Sequence, residues 1–450
     1  MRSLIKTNLI ILILLSSLSY TAFGVPEITL NDTQRPGGAI LFIVDGLGSS
    51  YYYPEFTPYA LDGSELLKAR TQNLSFGTRI INIRTTKPVT GIAHSILVTG
   101  YSEANEEVVG YPDATIFDIT RQHGFINLAV MQRGDFFNMR EEQDIILFAQ
   151  NNSIDKPLIS IQSKNPPAGV YELMYDWKMK LPAYLDNRSG VDKYSAYNRW
   201  GIDTANAVAT LMIENYPSQK FLLTVNIGAI DSGGHNLGDS RYIRLIEELD
   251  RDISSLYKTA SENNIALFFT ADHGMSFASR NAQRGGHSSD KYSSSMESLR
   301  IPLVIISPNT IPDIISGEYR QEDIAPTLLS VLDLPNHLQY VNGNSIDIKN
   351  YASIFITADS EYKISLWSGD RRVSEGTGSE IIIAGLPLNT SYTLRAAGDA
   401  GTYEEYLFLD SDKQFDFKSR EGLNYREITA VILILIVNIT GLMIIRRIRD

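Results

Sequence analysis

The sequence predicts an α/β fold, a mostly parallel sheet sandwiched by helices, followed by a small all-β sandwich module and a C-terminal transmembrane helix. Three observations carry this. Between Gly38 and about Leu334, short β-rich apolar runs alternate with longer amphipathic stretches. After Pro335 the rhythm changes to short alternating runs separated by Gly, Asp and Asn. Residues 428–445 then form 18 positions without a charge, followed by Arg446-Arg447-Ile448-Arg449.

The strand candidates of the first part are Ala39–Val44, Thr78–Ile83, Asn127–Met131, Phe221–Ile227, Ile265–Thr270 and Pro302–Ser307. Between Phe221–Ile227 and Ile265–Thr270 lies a helical stretch, Arg241 to Asn263, with Ile243, Ile246, Leu249, Ile253 and Leu256 at helical spacing. Nearly continuous apolar strands alternating with helices imply a parallel sheet covered on both faces. Ligands of such sheets bind outside the carboxyl ends of the strands. Residues 141–200, with Pro166-Pro167 and scattered tyrosines, break the rhythm and are expected to form a capping insertion.

In the second part, Ser353–Thr357, Lys363–Trp367, Glu380–Ile383, Tyr392–Arg395 and Glu404–Leu409 read as strands of a sandwich. At the N-terminus, Arg2 and Lys6 precede an apolar run, Leu9 to Leu18, and the small-residue stretch Thr21-Ala22-Phe23-Gly24. This is the pattern of a secretory signal, with an uncleaved anchor as the alternative. The 428–445 run is long enough to span a bilayer, its basic flank on the cytoplasmic side. The expected organisation is a signal peptide at 1–24, an α/β unit at 25–347, a β-sandwich at 348–425, a transmembrane helix at 428–445 and a cytoplasmic tail at 446–450. The expected location is the cell membrane, single-pass, with the α/β unit outside the cytoplasm. Five Asn-x-Ser/Thr sites between these two terminal segments, at Asn31, Asn73, Asn151, Asn187 and Asn389, are compatible with that.

A formal net charge of −12 offers no footprint for a nucleic-acid polymer. The absence of cysteine removes disulfides, thiolate catalysis and Cys-based metal sites. Nothing in the sequence sets an oligomeric state.

The chemistry lies in short tags beyond the strand candidates. The run ending at Val44 delivers Asp45-Gly46-Leu47-Gly48; the run ending at Ile227 is followed by Asp231-Ser232-Gly233-Gly234-His235; the run ending at Thr270 is followed by Asp272-His273-Gly274-Met275. Gly285-Gly286-His287 adds a third imidazole. The glycines between Asp231 and His235 permit a tight turn that brings both side chains toward one ion. Three Asp and three His suit two zinc-like divalent ions with open positions. Two ions about 4 Å apart stabilise the attacking and leaving oxygens of phosphoryl transfer. A nucleophile is then wanted. Thr85, Thr86 and Thr90 precede or open a probable helix, where a Thr at the N-cap lies beside free amide groups that favour phosphate. Spacing alone does not choose among them.

Taken together, Val44-Asp45-Gly46, Thr90-Gly91-Ile92-Ala93-His94 with Val98-Thr99-Gly100-Tyr101, Asp231-x-x-x-His235, Asp272-His273-Gly274-Met275 and Gly286-His287 resemble the alkaline phosphatase superfamily, especially its nucleotide pyrophosphatase/phosphodiesterase-like branch. The likeness covers roughly residues 38–334. It implies one ion held by Asp231, His235 and His287, another held by Asp45, Asp272 and His273, and Thr90 as the nucleophile that forms a phosphothreonine intermediate. The ions it implies are most simply Zn2+, with manganese or iron open. No Cys or Ser is followed by x-Pro-x-Arg, so the formylglycine motif of sulfatases is missing. The Asn by which the phosphodiesterase branch holds a phosphoryl oxygen is also missing; that region reads Glu106-Glu107-Val108-Val109-Gly110-Tyr111.

The resemblance implies a phosphate-ester substrate and a phosphodiesterase or nucleotide pyrophosphatase activity. The alternatives are a phosphomonoesterase, a phosphoethanolamine-type headgroup transferase and a non-catalytic surface binding protein. In the second part, Ile382-Ile383-Ala384-Gly385-Leu386-Pro387 through Tyr392 resembles a corner of fibronectin type III modules.

Overall fold

The register of three neighbouring strands decides where the functional tags meet. The computed structural model describes residues 27–30, 34–133, 136–398 and 401–417. Its strands, in chain order, begin with β1 (Glu27–Thr29), β2 (Gly38–Val44), β3 (Thr78–Arg84), β4 (Ile126–Met131), β5 (Ile145–Ala149) and β6 (Ile159–Ser163). They continue with β7 (Phe221–Ile227), β8 (Ile265–Ala271), β9 (Ser276–Phe277), β10 (Gly285–Gly286), β11 (Arg300–Ile306), β12 (Ile314–Ile315) and β13 (Tyr319–Arg320). A ten-stranded sheet has the order β12-β3-β11-β8-β2-β7-β4-β5-β6, with β13 also paired to β3.

At its centre β2 lies between β7 and β8, parallel to both. Val44 is opposite Ile227 on one side and Ala271 on the other. The three strands therefore leave the sheet at one level, which puts Asp45, Gly228 and Asp272 side by side. Every residue of β2, β7 and β8 is buried, as expected of strands covered on both faces and as their unbroken apolar runs announce. The covering helices include Thr90–Thr99, Gly190–Asn215, Asp239–Asp252 and Ser254–Glu262. The helical stretch read from Arg241 to Asn263 is thus two helices. Residues 141–200 place β5 and β6 on the main sheet, β5 parallel to β4 and β6 antiparallel to β5, and then continue into the helices Val170–Leu185 and Gly190–Asn215.

The sheet is mixed, which corrects the expectation of a mostly parallel one. The strand β11 runs antiparallel to both β8 and β3. The chain stays at the site end of the sheet from Asp272 through His287 to the short helix Met296–Leu299, so its next strand can only run back down. Its register shifts between Ile301 and Leu303, around Pro302, which lacks a ladder N–H.

The C-terminal strands β14 (Ala352–Ser368), β15 (Arg371–Leu386), β16 (Thr390–Gly398), β17 (Gly401–Leu409) and β18 (Lys413–Phe417) join β1 in a separate six-stranded sheet. The long strand β14 shifts register between Thr357 and Tyr362; residues before the shift pair with β18 and residues after it with β16. Ile354, Ile364, Leu366, Ile383, Leu394 and Leu409 share its core. The strands thus form one continuous sheet, and the resemblance to fibronectin type III, built on two sheets, is not confirmed. Where this sheet meets the α/β part, buried Lys349 Nζ lies 2.8 Å from both Asp333 Oδ1 and Asp412 Oδ2. Asp333 also pairs with Arg35 at 3.0 Å and accepts from Tyr351 at 2.5 Å and Ser353 at 2.7 Å.

The membrane expectation is also corrected. Among the described residues no helix is long and apolar enough to cross a membrane, so a transmembrane helix and a single-pass location at the cell membrane are not supported. The segments on which they were read, 1–24 and 428–450, lie outside the described residues.

Candidate metal centre

Asp45 follows β2 directly. Its N–H donates to Ile227 O at 3.0 Å, and its own carbonyl accepts from Asp231 N at 2.9 Å. Gly46 then turns the chain with φ +80°, and its N–H donates to Asp272 Oδ1 at 3.0 Å. The buried Tyr242 hydroxyl donates to Gly46 O at 2.6 Å and fixes the turn.

Asp231 and His235 lie in the helix Ala229–Leu237, one turn apart on one face. The tight turn expected from Ser-Gly-Gly is therefore a turn of helix. Glycine is needed there for space: a Cβ on Gly233 would stand 2.2 Å from Leu245 Cδ1, and one on Gly234 2.7 Å from Met275 Cε. Packing overrides the poor helix propensity of the pair. His287 arrives from the small hairpin of β9 and β10.

The six residues form two triplets, Asp231–His235–His287 and Asp45–Asp272–His273, and within each triplet one ligand atom per residue lies within 4.8 Å of the others. In the first, Asp231 Oδ1 is 3.2 Å from His235 Nε2 and 3.4 Å from His287 Nε2. In the second, His273 Nε2 is 3.3 Å from Asp272 Oδ2 and 3.5 Å from Asp45 Oδ1. Asp272 and His273, adjacent in sequence, therefore belong to one triplet.

The donor set fits divalent cations. Each imidazole has its Nδ1 against a backbone carbonyl: His235 on Gly285 at 3.1 Å, His273 on Gly274 at 3.0 Å, and His287 on Pro88 at 2.6 Å. A carbonyl accepts only, so Nδ1 carries the proton and each Nε2 lone pair faces the centre. His235 Nε2 and His287 Nε2 lie 3.1 Å apart with no proton of their own to share. Asp45 Oδ1, Asp231 Oδ1 and Asp272 Oδ2 are buried without a hydrogen-bond partner. Ligands at 2.0–2.1 Å around a tetrahedral ion stand about 3.3 Å apart, the spacing found here. Burial, with Asp272 and Asp231 alongside, pushes Asp45 up to about 7 against the pull of Arg133. Burial and the neighbouring His273 push His287 down to about 4. Burial is the leading cause of both shifts, and it disfavours the charged form of each group, the carboxylate of Asp45 and the imidazolium of His287.

Of the three threonines considered, Thr85 is buried and donates to Gln321 Oε1 at 2.8 Å, and Thr86 is exposed. Thr90 Oγ1 lies 3.0 Å from His273 Nε2. Thr90 is the first helical residue, not the N-cap, which is Val89, and its hydroxyl makes no capping bond. That leaves the oxygen toward the triplets.

Three residues without a role in the sequence reading complete the surroundings. His94 is buried, with Nδ1 2.9 Å from Thr90 O and Nε2 3.0 Å from Asn226 Nδ2. Gln321 donates to Asp272 O at 2.6 Å. Arg133 donates from Nε to Asp45 Oδ2 at 2.5 Å and from Nη2 to Asp231 Oδ2. Its position two residues beyond β4, at the same end of the sheet as the three tags, is the signal that could have marked it.

A mixed, helix-covered sheet thus carries at its strand ends two carboxylate–imidazole triplets that could hold metal ions, with a hydroxyl beside them. The sulfatase family model matches residues 39–334. The chain belongs to that family, within the sulfatase/alkaline phosphatase-like superfamily, whose members are metal-dependent hydrolases of sulfate or phosphate esters.

The chain is 29% identical over 160 residues to alkaline phosphatase PhoV of Synechococcus elongatus, covering 32% of this chain and 28% of that protein. It is 29% identical over 147 residues to a 2,3-bisphosphoglycerate-independent phosphoglycerate mutase of Mycoplasmopsis pulmonis, covering 32% and 26%. The matched stretch therefore spans less than a third of each of these relatives. Among solved structures, alkaline phosphatase PafA aligns with TM-score 0.49 at 14% identity over 70% of this chain and 99% of that one. Phosphonate monoester hydrolase SpPMH from Silicibacter pomeroyi aligns with TM-score 0.43 at 14% identity over 92% and 95%.

Proposed function

We propose that this chain hydrolyses phosphate esters, with phosphodiesters as the preferred substrate, through Thr90 and two divalent ions. Asp231, His235 and His287 would hold one ion, and Asp45, Asp272 and His273 the other. The observation that carries the reading is the convergence of three unpartnered buried carboxylate oxygens and three Nε2 lone pairs beside Thr90 Oγ1. When bound, zinc-type ions would supply positive charge for the phosphoryl oxygens and lower the pKa of a coordinated hydroxyl.

The protein's own groups do the rest. Thr90 Oγ1 bonds to phosphorus as its proton passes to solvent water, and the leaving alcohol departs with the electron pair of the broken P–O bond and takes up a proton from water. Water then cleaves the phosphothreonine ester and restores the hydroxyl. His94 holds the carbonyl of Thr90, which fixes the first helical turn under the nucleophile. A threonine at this place, with no Cys or Ser in a formylglycine motif, favours phosphate over sulfate. The separate hydrophobic cores support an α/β catalytic unit followed by a β module, with the change near residue 348 and β1 belonging to the module.

The test uses the full-length protein: metal content, then turnover of an aryl phosphodiester, an aryl phosphomonoester and an aryl sulfate. The expected result is two zinc ions per chain, fastest turnover of the diester, and a loss of at least about a thousandfold in Thr90→Ala with both ions retained. Faster turnover of the sulfate, or a Thr90→Ala variant at the wild-type rate, overturns the reading. Faster turnover of the monoester overturns the diester preference alone.

A further inference from the structure

Arg133 touches both triplets, and the backbone fixes how. Gln132 N donates to Asn226 O at 2.9 Å, which continues the pairing of β4 with β7 one residue past Met131. Arg133 thus leaves β4 level with Gly228, where β7 ends. Its side chain lies flat over that glycine: a Cβ on Gly228 would stand 2.9 Å from Arg133 Cδ and 3.0 Å from Cγ. The guanidinium then spans the gap between strand ends, Nε on Asp45 Oδ2 and Nη2 on Asp231 Oδ2.

The two oxygens of each aspartate are thereby divided. Oδ2 is held by the arginine, while Oδ1 is left without a hydrogen bond and faces the imidazoles of its own triplet. A guanidinium is a planar fork, so two carboxylates attached to it are fixed in angle as well as in distance. Asp45 and Asp231 belong to different triplets and come from different strands.

We propose that Arg133 is a positioning residue that joins the two ion sites into one rigid unit, holding Asp45 and Asp231 by their outer oxygens so that their inner oxygens face the ions at a fixed separation. This rests on the reading of the triplets as ion sites. The opposite role would be a stand-in cation that competes with the ions for the same carboxylates.

The two roles differ in sign, and zinc affinity separates them without recourse to turnover. The full-length protein is stripped with a chelator and titrated with zinc against a chromogenic competitor. Arg133→Met is expected to weaken both ions by about 10- to 100-fold, the usual effect of losing a group that orients a ligand. In Arg133→Lys a single ammonium can hold one carboxylate, so one ion is expected to weaken by that factor and the other to stay within about threefold. Gly228→Ala keeps the charge but displaces the side chain, and is expected to weaken both ions even if Arg133→Met fails to fold. Wild-type protein that takes up two ions, with variants that bind them equally well or more tightly, overturns this inference alone. Wild-type protein that takes up no zinc overturns the reading of the triplets and this inference with it.

Discussion

Gly46→Ala tests how the two triplets are spaced. Gly46 has φ +80°, a conformation that costs an alanine about 1–2 kcal/mol. The added Cβ would stand 2.8 Å from both Cα and Cβ of Asp231, whereas ordinary contact begins at 3.4 Å, so one partner must move by at least about 0.6 Å. Overpacking of this kind adds about 1–3 kcal/mol, for a total loss of about 2–5 kcal/mol. The displacement falls on the carboxylate that both His235 and His287 approach, and metal sites tolerate only about 0.2 Å in ligand distance.

The variant is therefore expected to unfold at markedly lower urea and to lose about 10- to 100-fold in zinc affinity at the Asp231 triplet. The control is Gly91→Ala, beside Thr90. No atom lies within 4 Å of a Cβ built there, and the residue is helical, so alanine is expected to stabilise by about 0.5–1 kcal/mol with zinc affinity unchanged. A Gly46→Ala protein with wild-type unfolding midpoint and zinc affinity would refute the argument.

Two further perturbations probe the rest of the molecule. Lys349→Met leaves Asp333 and Asp412 without their buried cation and is expected to cost about 3–5 kcal/mol in urea unfolding at pH 7. Burial would raise Asp333, yet Lys349 and Arg35 outweigh it and hold the group below its usual range, so its contribution is present above about pH 4 and lost as pH falls through the depressed folded value. In the variant the deficit relative to wild type should shrink on acidification; a deficit that grows would refute the pairing. Burial, helped by His337 and Lys220, pushes His123 down to about 4. The unfolded chain then binds that proton more readily, so the stability this group confers is present above about pH 6.5 and is lost as pH falls toward 4. His123→Gln is expected to flatten the fall in urea midpoint between pH 7 and 5, and an unchanged slope would count against it.

The parts of the fold that could be read from sequence are those in which local chemistry and tertiary role coincide. Burial on both faces forces β2, β7 and β8 to be apolar throughout, and polar residues immediately beyond such runs stand out. Asp45, Asp231, His235, Asp272 and His273 stand out for that reason and His287 only by its flanking glycines, and the structure brings all six into two adjoining triplets.

Other features depend on partners remote in sequence. The helical state of Asp231–His235 follows from Leu245 and Met275 filling the space that side chains on Gly233 and Gly234 would need. The reach of Arg133 depends on Gly228, and the reversed direction of β11 on the path taken around His287. None of these leaves a periodicity. The C-terminal module was legible as strands but not as one sheet, because the shift between Thr357 and Tyr362 that lets β14 serve two partners is a matter of register, not of composition.

The pairing of β1 with β15 sets an order on events. Ile28 lies opposite Ile383, in parallel, so a strand made before the α/β part meets its partner only after that whole part has left the ribosome. Until then β1 is a bare edge with nothing to bond to, and its closure is a late, long-range step of the slow kind. The same link means that a protease cutting between Leu30 and Gly38 would sever β1 from the α/β part while leaving the strand anchored to β15.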